Sequence, residues 1–145
     1  MRAEQIDDSD GARTFALVFD IGDEVAEGIR GFAEEHGLHA AHFTAIGALQ
    51  DVTLGYWEWE TKRYHENPIN EQVEVVSLIG NVALGPDDST KLHAHIVVGK
   101  RDGSAHGGHL LRAHVRPTLE VVLVESPGYL RRRVDPRTGL ALIDA

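Results

Sequence analysis

Apolar positions change period along the chain, and the changes separate one helix from a series of strands. From about Asp23 to His36, the residues Val25, Ile29, Phe32 and Ala33 fall at i, i+4, i+7 and i+8, the spacing of a single helical face. Glu24 and Glu27 suit the positive end of the helix dipole, Asp20 or Asp23 is placed to cap it, and Gly37 stands where a left-handed C-cap is expected. Elsewhere the β-branched and aromatic residues gather in shorter runs. Arg13–Phe19 reads as a strand, as do stretches at about 39–49, 52–58, 63–66, 72–84, 91–100, 118–125 and 129–134. Gly80 inside the long 72–84 run predicts a bend or bulge.

The gaps between these runs are short and carry turn residues such as Asn67-Pro68, Gly85-Pro86-Asp87-Asp88 and Asp135-Pro136. Short gaps favour antiparallel neighbours, because a parallel crossover needs a dozen residues or more. The expected fold is therefore α/β in the α+β sense: a mostly antiparallel twisted sheet of about seven strands with one main α-helix packed on it. Residues 1–11 hold four acids and few apolar side chains, and read as a disordered or frayed arm. Residues 12–145 read as a single domain, with 135–145 forming a last hairpin arm or lying against a neighbouring subunit.

A chain of 145 residues suffices for one compact core. Its formal charge of −9 opposes general attraction to phosphate backbones, which takes clustered cations. With no cysteine, nothing depends on disulfides or an oxidising compartment. The acidic start does not resemble a signal peptide, and no apolar run approaches the ~18 residues of a membrane span. Cytoplasm is the expected location, with no membrane partner.

The chemistry concentrates in LHAHIVVGKRDGSAHGGHLLRAHVRPTLEVVLV, from Leu92 to Val124. His93 and His95 lie two apart in a strand-forming run, so both imidazoles point to one face, ~6 to 7 Å apart at the backbone. That is half of a metal site. The Gly-rich segment after it, with Gly103, Gly107 and Gly108, can fold back and offers His106 and His109 as the third ligand. Three neutral histidines that leave a coordination position open are the arrangement of catalytic zinc, whereas structural zinc usually has four protein ligands. Imidazole also suits other divalent transition metals, so spacing alone does not name the ion. The ordinary alternative is that His93 and His95 are polar residues on a half-exposed strand.

Taken together, QVEVVSLIGNVAL, LHAHIVVGKRDGSAHGGHL and VRPTLEVVLVE occur in the order that resembles the PPC domain family of plants and prokaryotes. The preceding GDEVAEGIRGFAEEHGLHAAHFTAIGALQDVTLGYW is similar to the helix and following strands of that family. The resemblance implies a homotrimer and, in prokaryotic members with this histidine pattern, a zinc site. Carried over residue by residue, the ligands would be His93, His95 and His109, leaving His106 as a nearby extra residue. A more distant likeness is to α-acetolactate decarboxylase, whose zinc is held by three histidines; this is analogy at the level of fold. In plants the domain accompanies an AT-hook that binds DNA, but this chain lacks the Arg-Gly-Arg-Pro core of that hook.

Catalysis beside such a metal would need an acid or base, and Glu120 and Glu74 are candidates because each interrupts an apolar strand. Both would otherwise be solvent-facing. Arg112, Arg101 and Lys91 flank the histidines and could hold an anionic ligand, although surface charge is the simpler reading for each. His36, His39, His42, His65 and His114 lack spacing partners and read as core or interface residues. Trp57 and Trp59 would share one strand face and fit packing rather than a site. Arg131-Arg132-Arg133 is the one cationic run; on a strand, Arg132 points opposite to its neighbours, so the three form no single patch.

Two functions remain. One is a trimeric zinc protein that binds or acts on a small anionic or carbonyl ligand, as a lyase or hydrolase if it is an enzyme. The other is a DNA-binding or protein-interaction module without catalysis, in which DNA is disfavoured by the −9 charge and the missing hook.

Overall fold

The structure, a computed structural model, describes residues 1–9, 11–126 and 128–144. In chain order it contains β1 (Arg2–Ser9), β2 (Ala12–Phe19), α1 (Val25–Glu35), β3 (Ala40–Glu58), β4 (Arg63–Ile69), β5 (Val73–Leu84), β6 (Thr90–Gly99), β7 (Ala105–Glu125), β8 (Arg132–Val134) and β9 (Ala141–Ile143). Seven strands form one sheet in the order β1-β2-β7-β6-β5-β3-β4, with every neighbouring pair antiparallel. β7 also pairs with β3 over most of its length. The sheet therefore closes on itself through β3, β5, β6 and β7.

Closure separates two faces. Phe43, Leu78, Ile96, Val98, Leu110 and Val115 are buried on the inner one, and α1 contributes Val25, Ile29, Phe32 and Ala33 to the same core. The alternation of β6, with Ala94, Ile96 and Val98 buried and His95 and Val97 exposed, sends the histidines outward. Helix α1 is capped by Glu24 rather than Asp20 or Asp23. The Glu24 carboxylate accepts from the backbone N–H of Glu27 at 2.6 Å and from that of Ala113 in β7 at 2.9 Å. One side chain thus satisfies a helix end and ties the helix to the sheet.

Several boundaries differ from the sequence reading. Residues 2–9 of the expected frayed arm form β1, paired with β2 through a register from Arg2↔Val18 to Ser9↔Ala12. All eight of its residues are exposed, so backbone hydrogen bonds hold it and no apolar alternation marks it; Asp10 and Ala145 lie outside the described residues. The two runs at 39–49 and 52–58 are a single strand, β3, with bulges in its pairing to β7 between Gly47 and Leu49 and between Leu49 and Asp51. Residues 129–134 contribute only β8, which pairs with β9 in a small hairpin at the C-terminal end.

Candidate metal centre

β6 turns into β7 through Lys100–Ser104, where the Lys100 backbone N–H donates to the Ser104 carbonyl at 2.8 Å and Gly103 takes a φ of +82°. The Gly-rich segment is thus the start of a strand and not a loop hinged back over β6. His109 reaches the site because the hairpin register sets it opposite His95, while the other edge of β7 sets it opposite Gly55 of β3. His93 and His95 share a face by strand alternation. The three ring centroids are 5.1, 5.1 and 5.4 Å apart, and one nitrogen from each ring lies within 4.8 Å of the others.

The same alternation removes His106. It is three residues from His109 and pairs with Val98, so it leaves β7 on the opposite face, exposed near the strand end. Glu74 pairs with Gly99, four residues beyond His95, and Glu120 pairs with Val18 and Ile46, outside the hairpin that carries the histidines. Neither joins the three-histidine group, so the structure brings no carboxylate into it among the described residues. Arg112 is exposed beside Thr53, and Arg101 lies in the hairpin turn. Lys91 is drawn to Asp87 at 3.6 Å.

The rings are held unevenly. His95 is exposed, whereas His93 and His109 are half-buried. Tyr64 of β4 stacks on His109 with centroids 4.7 Å apart and planes 18° from parallel, and Trp57 meets Tyr64 edge-on at 5.0 Å. Gly55 makes room for this layer: a Cβ there would stand 2.8 Å from Tyr64 Cδ1 and 3.1 Å from Leu111 Cγ. Trp59, expected on the same strand face as Trp57, lies past the end of β3, with the Lys62 ammonium 3.2 Å above its ring.

Burial dominates the electrostatics. It pushes the His109 pKa down to about 4, with the neighbouring His93, His95 and Arg132 acting in the same direction. His93 is also lowered, first by burial, then by Arg132 and His95. Both rings are therefore neutral at pH 7 and present lone pairs rather than charge. The Nδ1 of His109 is buried and has no hydrogen-bond partner. A single ion with bonds of ~2.0 to 2.1 Å needs donor nitrogens no more than about 4 Å apart, a separation that small ring rotations reach from 4.8 Å. The donor set fits a divalent transition metal.

One residue of the cationic run also belongs here. Arg132 is 7% exposed; it donates to Asn81 Oδ1 at 2.5 Å and to the Ala141 carbonyl at 3.0 Å, while its Nε is buried without a partner. Asn81 is the cross-strand neighbour of His93. The alternation within Arg131-Arg132-Arg133 was the available signal: Arg131 pairs with Asp88, Arg133 with Asp144, and Arg132 alone turns inward.

A closed antiparallel sheet with one helix and an outward three-histidine group defines a class of α+β domain. The chain belongs to the Plants and Prokaryotes Conserved (PCC) domain family, also written PPC, whose model matches residues 7–127. Among solved structures it is similar to a metal-containing protein from Archaeoglobus fulgidus, 38% identical, covering 91% of this chain and 93% of that one with a TM-score of 0.84. A PPC protein from Pyrococcus horikoshii is 33% identical over 92% of each chain, with a TM-score of 0.85. A Bacteroides thetaiotaomicron protein provisionally described as DNA-binding is 28% identical, covering 99% of this chain and 96% of that one, with a TM-score of 0.87. The expected distant likeness is present in fold alone: a Staphylococcus aureus protein similar to α-acetolactate decarboxylase is 11% identical, covers 80% of this chain and 53% of that one, and has a TM-score of 0.59. No protein of curated function matches the chain. Among the described residues, no helix is long and apolar enough to cross a membrane.

Proposed function

We propose that this chain is a homotrimeric, cytoplasmic PPC-domain protein, acting as one domain over residues 12–145, in which His93, His95 and His109 hold zinc. The observation that carries the reading is the convergence of three imidazole nitrogens within 4.8 Å on rings of which two are kept neutral by burial. The likeness to an archaeal protein called metal-containing supports it. Three neutral ligands leave the ion its full charge, so when bound it can act as a Lewis acid toward an oxygen of a small anionic or carbonyl ligand. Lyase or hydrolase chemistry follows from that class. Within it, Tyr64 and Trp57 fix the plane of His109, and Arg132 supplies positive charge beside His93.

The outer face supports the oligomer. Ile46, Ile79, Val97 and Val122 are 62, 56, 38 and 46% exposed, and pairing aligns Val122, Thr44, Ile79, His95 and His109 in one row across the strands. Apolar side chains exposed together on one face of a sheet are characteristic of a subunit interface. The threefold count comes from the family resemblance, and His95 and His109 lie in the same row as Ile79 and Val122.

Elemental analysis of untagged protein, with sedimentation for mass, tests the reading. About one zinc per chain in the parent and none in His93→Ala or His109→Ala is expected; metal kept in both variants, or none taken up by the parent, refutes it. The DNA module is the second reading, favoured by the description of the Bacteroides relative. Here Arg131 and Arg133 are paired with acids and Arg132 is buried, so no cationic patch is free in that run. A mobility shift at low salt that weakens steeply as salt rises would revive it.

A further inference from the structure

We propose that the histidine site is completed between copies of the chain: the Glu120 carboxylate of a second copy accepts the outer ring N–H of His95 and so braces the three-histidine centre. The inference rests on the metal and oligomer readings above and names the residue that a second copy brings to the same site. Alternation along β7 buries Leu119 and Val121 and turns Glu120 outward with Val122. On that face its cross-strand neighbours are Val18 and Ile46, and its neighbours along the strand are Thr118 and Val122, all uncharged. The cation in its row, Arg2, leans to Asp20 at 3.9 Å instead. Glu120 is thus a carboxylate set among apolar side chains of the outer face, with no ion pair among the described residues.

The histidines have the converse deficit. A metal-bound imidazole usually passes its second N–H to a carboxylate, a carbonyl or water. Among the described residues no carboxylate joins the group, and the buried Nδ1 of His109 has no partner. His95 is the exposed ring of the three, so it is the one that a group from outside can reach. Its row runs through Ile79 and Thr44 to Val122, two residues along β7 from Glu120. Three strand spacings of ~4.8 Å put the ends of that row ~14 Å apart. A glutamate does not span this distance, so the chain's own Glu120 cannot serve its own His95.

Both ends lie on one face, with Thr44, Ile46 and Ile79 between them. When such a face is covered, a carboxylate on it loses its hydration and must meet a donor or a cation. The histidine end of a second copy offers both, an N–H and the charge of the ion it holds when loaded. A contact that joins unlike ends of one face is heterologous, and heterologous contacts generate a ring when their rotation closes. Every copy in the ring then gives one carboxylate and receives one.

Zinc affinity by competition with a chromophoric chelator, with sedimentation for mass, tests the proposal on parent, Glu120→Ala and Glu120→Gln proteins. Glu120→Ala is expected to assemble and to bind zinc about ten- to a hundredfold more weakly. Glu120→Gln keeps an acceptor without the charge and should fall between; it stands in should Glu120→Ala not assemble. The decisive arm mixes subunits, because His93→Ala loses the zinc site but keeps Glu120. Co-expressed in equal amounts with Glu120→Ala, it should restore parent-like affinity to about a quarter of the chains, since half of the Glu120→Ala copies then face a Glu120. Co-expression with the His93→Ala/Glu120→Ala double variant should restore none. No restoration in the first mixture overturns the assignment, as does a parent of single-chain mass. Zinc held equally by parent and Glu120→Ala refutes this inference alone, whereas a parent that takes up no zinc refutes the metal reading and this inference with it.

Discussion

Acid should weaken the metal-free fold through His109, and the size of the effect follows from its environment. Burial lowers its pKa from 6.5 to about 4 in the folded protein, whereas the unfolded chain keeps the ordinary value. Above pH ~6.5 both states hold a neutral ring and the group contributes no pH dependence. As the pH falls through the window from 6.5 to 4, the unfolded chain takes up the proton first, so stability decreases. The limiting slope is about 1.4 kcal/mol per pH unit, and the whole window is worth at most about 3 kcal/mol. Partial exposure of the ring reduces this, and the lowered pKa of His93 adds in the same direction. Urea denaturation of chelator-treated protein at fixed protomer concentration, at intervals from pH 7.5 to 4, would measure it, with His109→Asn as the reference. The parent should lose stability across the window and the variant should lose distinctly less. Parallel curves would refute the claim that His109 is held neutral by burial.

Three shorter predictions bear on neighbouring features. Gly55→Ala drives a Cβ to 2.8 Å from Tyr64, so it should cost about 1 to 3 kcal/mol in denaturant titration and lower zinc affinity by disturbing the ring stacked on His109. Ile79→Asp puts a charge in the middle of the row that runs from Val122 to His109 and should give a smaller species in sedimentation; an unchanged mass would remove that face from the interface. Glu24→Ala deletes the acceptor of both the Glu27 and Ala113 backbone N–H groups and should destabilise the fold by about 1 to 3 kcal/mol, read as a shifted urea midpoint.

Features whose physics is local were legible along the chain. The 3.6-residue period of Val25, Ile29, Phe32 and Ala33 specified α1, and the two-residue period of strands placed His93 and His95 on one face of β6. Even the contrast within Arg131-Arg132-Arg133 was present as an alternation. Features without apolar alternation were not readable: β1 is exposed at every position and is defined only by its ladder to β2. Tertiary structure decided the rest, because register between distant strands is a property of pairs. The choice of His109 over His106 depends on the hairpin register that pairs His109 with His95, and a shift of one residue would have turned His109 to the other face. The layer over His109, with Tyr64 stacked on the ring and Trp57 edge-on to Tyr64, is assembled by the β3–β4 and β3–β7 pairings. The burial of Arg132 comes from a C-terminal hairpin laid on the end of β5. In each case the spacing within one segment was visible, and the partner across the sheet was not.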